Sequence, residues 1–174
     1  MSHRSEPMTP TSQRYRLSLA KQDFKFAAAH FTLLGGGVAE PLHGHNYRVR
    51  VEVAGEVLDG DGLLVEAAPV KQAIRALCAE LDDRVLVPAE SPRLTVETAD
   101  DAVEVAYGTR RYRFPASEVV LLPLVNSSIE LLAELLWRRL APTLAGSHAT
   151  FLAVAVEEAE GQRAVFEASL ASAP

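Results

Sequence analysis

Three histidines carry the chemistry this sequence can do. His43-Gly44-His45 opens a run in which every second residue is His45, Tyr47, Val49, Val51 and Val53, against Gly44, Asn46, Arg48, Arg50 and Glu52 on the other phase. A period of two is a half-buried strand, and it sets both imidazoles on the buried face at one end. Neutral imidazoles side by side suit one metal ion better than they suit a core. Upstream, Phe24, Phe26, Ala28 and His30 share a phase of their own. If this strand pairs with the next as a hairpin across Leu33-Leu34-Gly35-Gly36-Gly37, His30 falls at the His43/His45 end. Three histidines without a fourth protein ligand describe a catalytic zinc site whose open position takes water or substrate. A bare His-x-His also occurs as two surface histidines; the matching phase of His30 is what argues for a metal. The other histidines, His3 and His148, lie outside the pattern.

The elements that must position these side chains follow from periodicity and turn chemistry. Strands are expected over about 15–31 and 45–56, then a turn at Asp59-Gly60-Asp61-Gly62. A helix is expected over about 69–81, with Val70, Ala73, Ile74, Leu77 and Leu81 as its apolar stripe and Pro69 in its first turn. Short strands follow over about 94–98, 102–107, 110–114 and 119–122, with Gly108-Thr109 turning a hairpin. Ser127-Ser128-Ile129-Glu130 reads as a capping box that opens a second helix. Two strands close the chain, at about 150–157 and 163–170.

Composition narrows the classes. A chain of 174 residues is one domain by size, with room for a core. A net charge of −6 argues against nucleic acid as the main partner. The single cysteine, Cys78, excludes an internal disulfide and points to a reducing, cytoplasmic compartment. No run of about 18 apolar residues is present, so no membrane span is expected. Residues 1–14 are polar, without the apolar centre of a secretory signal, and read as a flexible tail.

Taken in order, these residues resemble the family of 6-pyruvoyltetrahydropterin and 6-carboxytetrahydropterin synthases. The resemblance runs over about 30–166, most of the chain. Phe26-Ala27-Ala28-Ala29-His30 is similar to the family's first-strand zinc motif, and His43-Gly44-His45-Asn46-Tyr47 to its HGHxY motif. Gly62-Leu63-Leu64-Val65-Glu66 resembles the segment entering the first helix, with Glu66 where Asp is usual. Asn126-Ser127-Ser128-Ile129-Glu130 resembles the start of the second helix, and Val154-Ala155-Val156-Glu157-Glu158-Ala159 the closing V-x-V-x-E-T strand. The resemblance implies an α+β fold, the T-fold or tunnelling fold. In it an antiparallel sheet carries two helices on one face, and its strands are extended by oligomerisation, usually into a hexamer built as a dimer of trimers. Residues 15–170 would form the single T-fold domain, with 93–122 as an inserted β-rich segment that the compact pattern does not need. Pterin sites in this fold lie between subunits.

The departures bear on activity. Members that make 6-pyruvoyl or 6-carboxy products carry a cysteine a few residues before HGH. Residues 38–42 hold none, and Cys78 falls in the first helix. Instead Glu40-Pro41-Leu42-His43-Gly44-His45 matches the ExxHGH signature of a third subclass. Its members resemble dihydroneopterin aldolase in activity and serve folate synthesis. They cleave the side chain of 7,8-dihydroneopterin triphosphate to leave 6-hydroxymethyl-7,8-dihydropterin. The resemblance implies zinc on His30, His43 and His45 and a base at Glu40, for which a solvated loop acid is the alternative.

The family's catalytic Asp-His pair becomes Asp82-Asp83, and two carboxylates do not reproduce an Asp-oriented imidazole. Asp82-Asp83 also reads as a plain helix-end turn. Glu158 maps onto the pterin anchor, whose two oxygens accept the 2-amino and N3–H donors; an exposed strand-end glutamate is the alternative. Ser127 and Ser128 stand where hydroxyls help hold the pterin, and both also suit helix capping. Arg110, Arg111 and Arg113 could meet a triphosphate or form a solvated face. Two other functions stay open. One is 6-carboxytetrahydropterin synthase in deazaguanine (queuosine) synthesis, which the missing cysteine disfavours. The other is a degenerate pterin- or zinc-binding paralogue, which Asp83 favours. The cupin, another fold with His-x-His on a strand, needs a later histidine that His148 is poorly placed to supply.

Overall fold

The computed structural model describes residues 13–172. The proposed tail at 1–14 therefore lies almost wholly outside the described residues. The spine of the fold is β3 (His43–Gly55). Along one edge it pairs with β9 (Phe151–Ala159), which in turn pairs with β10 (Gln162–Ser169). Along the other edge it takes two shorter strands end to end: β1 (Tyr15–Leu19) on Val51–Gly55 and β2 (Lys25–His30) on His43–Arg48.

One strand was expected over 15–31, and the structure divides it. In β1 the buried residue is Leu19, on the odd phase; in β2 the inward residues are Phe26, Ala28 and His30, on the even phase. A continuous strand would have turned Lys21 and Asp23 into the core. The turn closed by the Phe24 N–H on the Lys21 carbonyl resets the phase instead.

The sheet is mixed rather than purely antiparallel. β4 (Arg84–Pro88) runs parallel to β2, and β8 (Val119–Leu122) parallel to β4, giving the order β10-β9-β3-β2-β4-β8. Between these two strands the chain builds a separate three-stranded sheet from β5 (Thr95–Ala99), β6 (Ala102–Tyr107) and β7 (Arg110–Pro115). The strand expected over 119–122 thus belongs to the main sheet, and the additional sheet is the narrower stretch 95–115.

Two helices cover one face of the main sheet. α1 (Ala67–Leu81) begins two residues before Pro69 and buries Val70, Ile74, Leu77, Cys78 and Leu81. α2 (Ile129–Leu140) buries Ile129, Leu132, Ala133, Leu136, Trp137 and Leu140, and lies against β9 and β10. Its N-cap is Ser128, one residue later than the expected capping box, which puts Glu130 out of register for that box. Beneath the helices, Val49, Val51, Val53, Leu152, Val154 and Val156 form the core with Phe24, Phe26 and Tyr47. Each such side chain contributes about 1.5–3 kcal/mol when fully buried. The opposite face shows Asn46, Arg48 and Arg50 to solvent. No described helix is long and apolar enough to cross a membrane.

Gly55 ends β3 where the 146–150 loop passes over it. A Cβ there would overlap the His148 carbonyl oxygen and lie 2.7 Å from Leu64 Cδ1. Gly55→Ala is therefore expected to destabilise the fold by about 1–3 kcal/mol. A lowered urea midpoint with an unchanged m-value would show this; an unchanged midpoint would mean that the loop gives way freely.

Candidate active site

The histidines meet because of strand register. His30 on β2 pairs with His43 on β3, and Ala28 pairs with His45, so all three imidazoles project from one face. Ring centroids lie 4.8 Å apart for His30–His43, 4.7 Å for His43–His45 and 5.3 Å for His30–His45. One ligand atom from each falls within 4.8 Å of the others. This is the face of the apolar core, at the end of β3 opposite Gly55. His148, beside Gly55, is about 40 Å away along a strand of this length.

Backbone carbonyls fix the tautomers. His30 Nδ1–H donates to the Ser127 carbonyl at 2.9 Å, and His43 Nδ1–H to the Pro41 carbonyl at 2.8 Å. A carbonyl only accepts, so the proton resides on Nδ1 and the lone pair on Nε2. Burial holds the His30 pKa below its ordinary value, with His43 and His45 adding to the effect against the opposing pull of the Ser127 carbonyl. The ring is kept in the neutral, ligating form. His30 Nε2 is buried and has no hydrogen-bond partner among the described residues. An orphaned buried nitrogen with two more imidazoles around it fits a divalent, nitrogen-preferring metal such as zinc.

β9 brings a carboxylate to the same place. Val154 and Val156 face the core, and Glu158 continues their phase. Its Oε2 lies 3.9 Å from His30 Nε2 and 4.0 Å from His45 Nε2, and its other oxygen accepts from Gln162 Nε2. Glu157 is on the opposite phase and pairs with Arg50 at 3.3 Å. Alternation thus separates two glutamates that are adjacent in sequence. Glu158 also lines a groove of about 710 Å³ with Gly44, His45, Asn46, Arg48 and Arg50. The Tyr47 hydroxyl, buried below the histidines, has no partner among the described residues, and burial with Glu158 nearby pushes its pKa up.

Glu40 stands in the loop joining β2 to β3. Its backbone N–H donates to the Thr32 carbonyl at 3.0 Å, and its Oε2 accepts from the Thr32 N–H at 3.2 Å. That side-chain bond, with smaller help from His43 and His30, holds the carboxyl below its ordinary pKa. Glu40 is half-buried and ionised. Cys78 lies on the buried face of α1, where desolvation pushes its thiol up to about 12. A thiol in that state is not a nucleophile or base at neutral pH.

The remaining expected site residues are placed differently. Asp82 caps the end of α1, and its Oδ1 accepts from the Ala27 N–H at 2.7 Å. Its carboxylate is thus engaged in joining helix to strand. Asp83 has a left-handed φ of 55° and donates its N–H to the Ala27 carbonyl at 2.7 Å. Its side chain lines a groove with Ala27, Gly44, His45, Arg84 and Glu118. Ser127 is fully buried, and its hydroxyl donates to the Phe31 carbonyl at 2.9 Å, so it is not free for a ligand. Ser128 caps α2 through the Leu131 N–H at 3.5 Å.

Of the three arginines, Arg110 donates to the Glu40 carbonyl at 2.7 Å. Arg111 donates to the Gly108 and Arg110 carbonyls, and Arg113 approaches Glu104 at 3.8 Å. Sequence reasoning gave no separate role to Asn126. Its amide clamps Leu33 from both sides, accepting from the N–H at 2.9 Å and donating to the carbonyl at 3.0 Å. Its place in the helix-start motif was the available signal.

A sheet with two helices on one face, and three imidazoles gathered beside the N-terminus of α2, define a T-fold protein with a candidate metal centre. The family model described as 6-pyruvoyl tetrahydropterin synthase matches residues 19–169, and the chain belongs to that family. A relative from Methanocaldococcus jannaschii, provisionally named 6-carboxy-5,6,7,8-tetrahydropterin synthase, is 26% identical over 145 residues, covering 82% of this chain and 88% of its own. The structure of 6-pyruvoyl tetrahydropterin synthase from Plasmodium falciparum superposes with a TM-score of 0.83 at 26% identity, covering 90% of this chain and 98% of that one. A Plasmodium vivax 6-pyruvoyltetrahydropterin synthase in which a catalytic glutamate is replaced by alanine gives 0.81 at 27% identity, over 90% and 99% of the two chains.

Proposed function

We propose that this protein is a zinc-dependent lyase that cleaves the side chain of 7,8-dihydroneopterin triphosphate by a retro-aldol reaction. The product would be 6-hydroxymethyl-7,8-dihydropterin, used for folate synthesis. The observation that carries this reading is Glu40, an ionised carboxylate held by Thr32 beside His43 and His30, in a loop without cysteine. The P. vivax protein whose catalytic residue is a glutamate supports it.

His30, His43 and His45 would hold the zinc through Nε2. When bound, zinc supplies positive charge that stabilises a substrate oxygen losing its proton. Glu40 takes the proton from a side-chain hydroxyl. The carbon–carbon bond then breaks as that oxygen becomes a carbonyl, and the released electron pair passes into the conjugated pterin before reprotonation. Glu158 accepts from the 2-amino and N3–H edge of the pterin in the groove it lines. That groove is of ordinary size for such a ligand. Ser127 acts through its carbonyl, by orienting His30. The open edges of β10 and β8 suit association of copies into the family's barrels.

The name of the archaeal relative favours a second reading, 6-carboxytetrahydropterin synthase for deazaguanine synthesis. Asp83, in place of the family histidine, favours a third, a binding-only paralogue. Mass spectrometry of products from zinc-loaded protein and 7,8-dihydroneopterin triphosphate separates them. The 6-hydroxymethyl pterin is expected. A 6-carboxy or 6-pyruvoyl product would overturn the subclass, and bound but unchanged substrate would favour the paralogue.

A further inference from the structure

The β5–β7 sheet lies outside the main sheet, and its inner side chains pack both on β4 and on the loop 31–42 that carries Glu40. Phe31, Leu33 and Ala39 of the loop share an apolar cluster with Val87, Val103 and Val105, and Tyr112 stacks on Phe31 at 5.5 Å. Polar contacts finish the attachment. Arg110 donates to the Glu40 carbonyl at 2.7 Å. Arg93, just before β5, donates to the Leu34 carbonyl at 2.7 Å, the Val38 carbonyl at 3.2 Å and the Tyr107 hydroxyl at 2.7 Å. Tyr107 donates onward to the Gly37 carbonyl. Four loop carbonyls are thus bonded by three side chains of this segment.

The loop needs such support. Its tip is Gly35-Gly36-Gly37, with φ of 67° at Gly36 and 78° at Gly37, and no side chains of its own to pack. Asn126 holds Leu33 at the base of the loop, and the Leu33–Ala39 bridge, the Thr32–Glu40 bonds and turn bonds tie the loop to itself, but the glycine tip has no packing of its own. A base in a loop is useful only when held near its productive position, since a misplacement of about 1 Å can lower a rate about 100-fold.

We propose that the β5–β7 sheet is a positioning device for Glu40. Arg110 is its positioning residue, and Arg93 with Tyr107 fixes the loop tip. This inference rests on Glu40 acting as the base, and the test separates the two. Arg110→Met keeps the length and apolar stem but removes the donors. It is expected to lower kcat about 10- to 100-fold while KM and zinc content stay unchanged, and to speed amide exchange in residues 33–40. Arg110→Lys, which restores one donor, should recover part of the rate. In a Glu40→Gln background Arg110→Met should add little, because both changes act on one group. Glu97→Ala, at an exposed position on β5 of the same sheet, is the control and should leave turnover unchanged.

An unchanged kcat in both Arg110→Met and the Arg93→Met/Tyr107→Phe double variant, with Glu40→Gln inactive, would overturn the inference alone. So would a full Arg110→Met effect in the Glu40→Gln background. Full turnover in Glu40→Gln would remove the base reading, and this inference with it. If Arg110→Met fails to fold, the double variant decides by the same kcat and exchange readouts.

Discussion

Glu40→Gln is expected to reduce cleavage of 7,8-dihydroneopterin triphosphate by about 100- to 10,000-fold, the usual contribution of a positioned general base. The substitution is close to isosteric. The glutamine carbonyl oxygen can still accept the Thr32 N–H that the carboxylate accepts at 3.2 Å, so the loop keeps its shape. What is lost is basicity. The carboxyl is held below its ordinary range chiefly by the Thr32 N–H and then by His43 and His30, so at neutral pH it is fully in the form that takes a proton. Zinc content should stay at the wild-type level, because none of the three imidazoles bonds to the Glu40 side chain among the described contacts. Pterin affinity should hold as well, since the groove lined by Glu158 does not include Glu40. Turnover by product chromatography, metal analysis and a binding titration check the three parts. Retained turnover would return Glu40 to the solvated loop acid its sequence position also allowed.

The gathering of the three histidines is legible in the sequence because it depends on local period. Two imidazoles two residues apart must share a face, and the alternation that continues through Tyr47, Val49, Val51 and Val53 tells which face is buried. The strands of the additional sheet were legible for the same reason, to within one residue at each end. β4 was not. Its Val85-Leu86-Val87 run is too short to show a period, and its parallel place beside β2 is decided by where α1 returns the chain. The split of the first strand was hidden because both halves alternate correctly and only the phase changes between Leu19 and Phe24.

Site roles that depend on long-range bonds were the least legible. Asp82 stands at the family's catalytic pair and equally suits a helix-end turn, and only the bond of its Oδ1 to the Ala27 N–H, 55 residues away, decides between them. Ser127 looked like a pterin contact, but its hydroxyl serves Phe31 and its carbonyl orients His30, 97 residues away. Glu158 was read from motif position as a pterin anchor. Its approach to His30 and His45 needed the register of β9 on β3 as well as the phase of Val154 and Val156. Arg110 was assigned to a phosphate or to solvent, because nothing in a charged hairpin reveals a carbonyl waiting opposite it.

His30→Ala and His43→Ala should both abolish metal binding but differ in what they do to the fold. His30 is 1% exposed and fills space beside Tyr47 and His43. Its removal leaves a cavity and strands the Ser127 carbonyl, which together should lower the stability of metal-free protein by about 2–4 kcal/mol. One term opposes this: the orphaned Nε2 disappears, relieving a buried polar atom that only a metal would satisfy. Cavity and carbonyl outweigh it, because the whole ring goes while only one atom of it was unsatisfied. His43 is half-buried, and water can replace its bond to the Pro41 carbonyl, so His43→Ala should change metal-free stability by less than about 1 kcal/mol. In wild type, a metal bound only to the native state adds RT ln(1 + [L]/Kd), about 4 kcal/mol at a free concentration of 1,000 Kd. Chelation should therefore lower the wild-type Tm and leave that of either variant unmoved. Metal analysis alongside melts with and without chelator reads both effects. Stoichiometric zinc in His30→Ala, or a wild-type Tm indifferent to chelator, would remove the three-histidine centre. A metal retained in His30→Ala but lost in His43→Ala would instead make His30 a core residue, with Glu158 the third ligand.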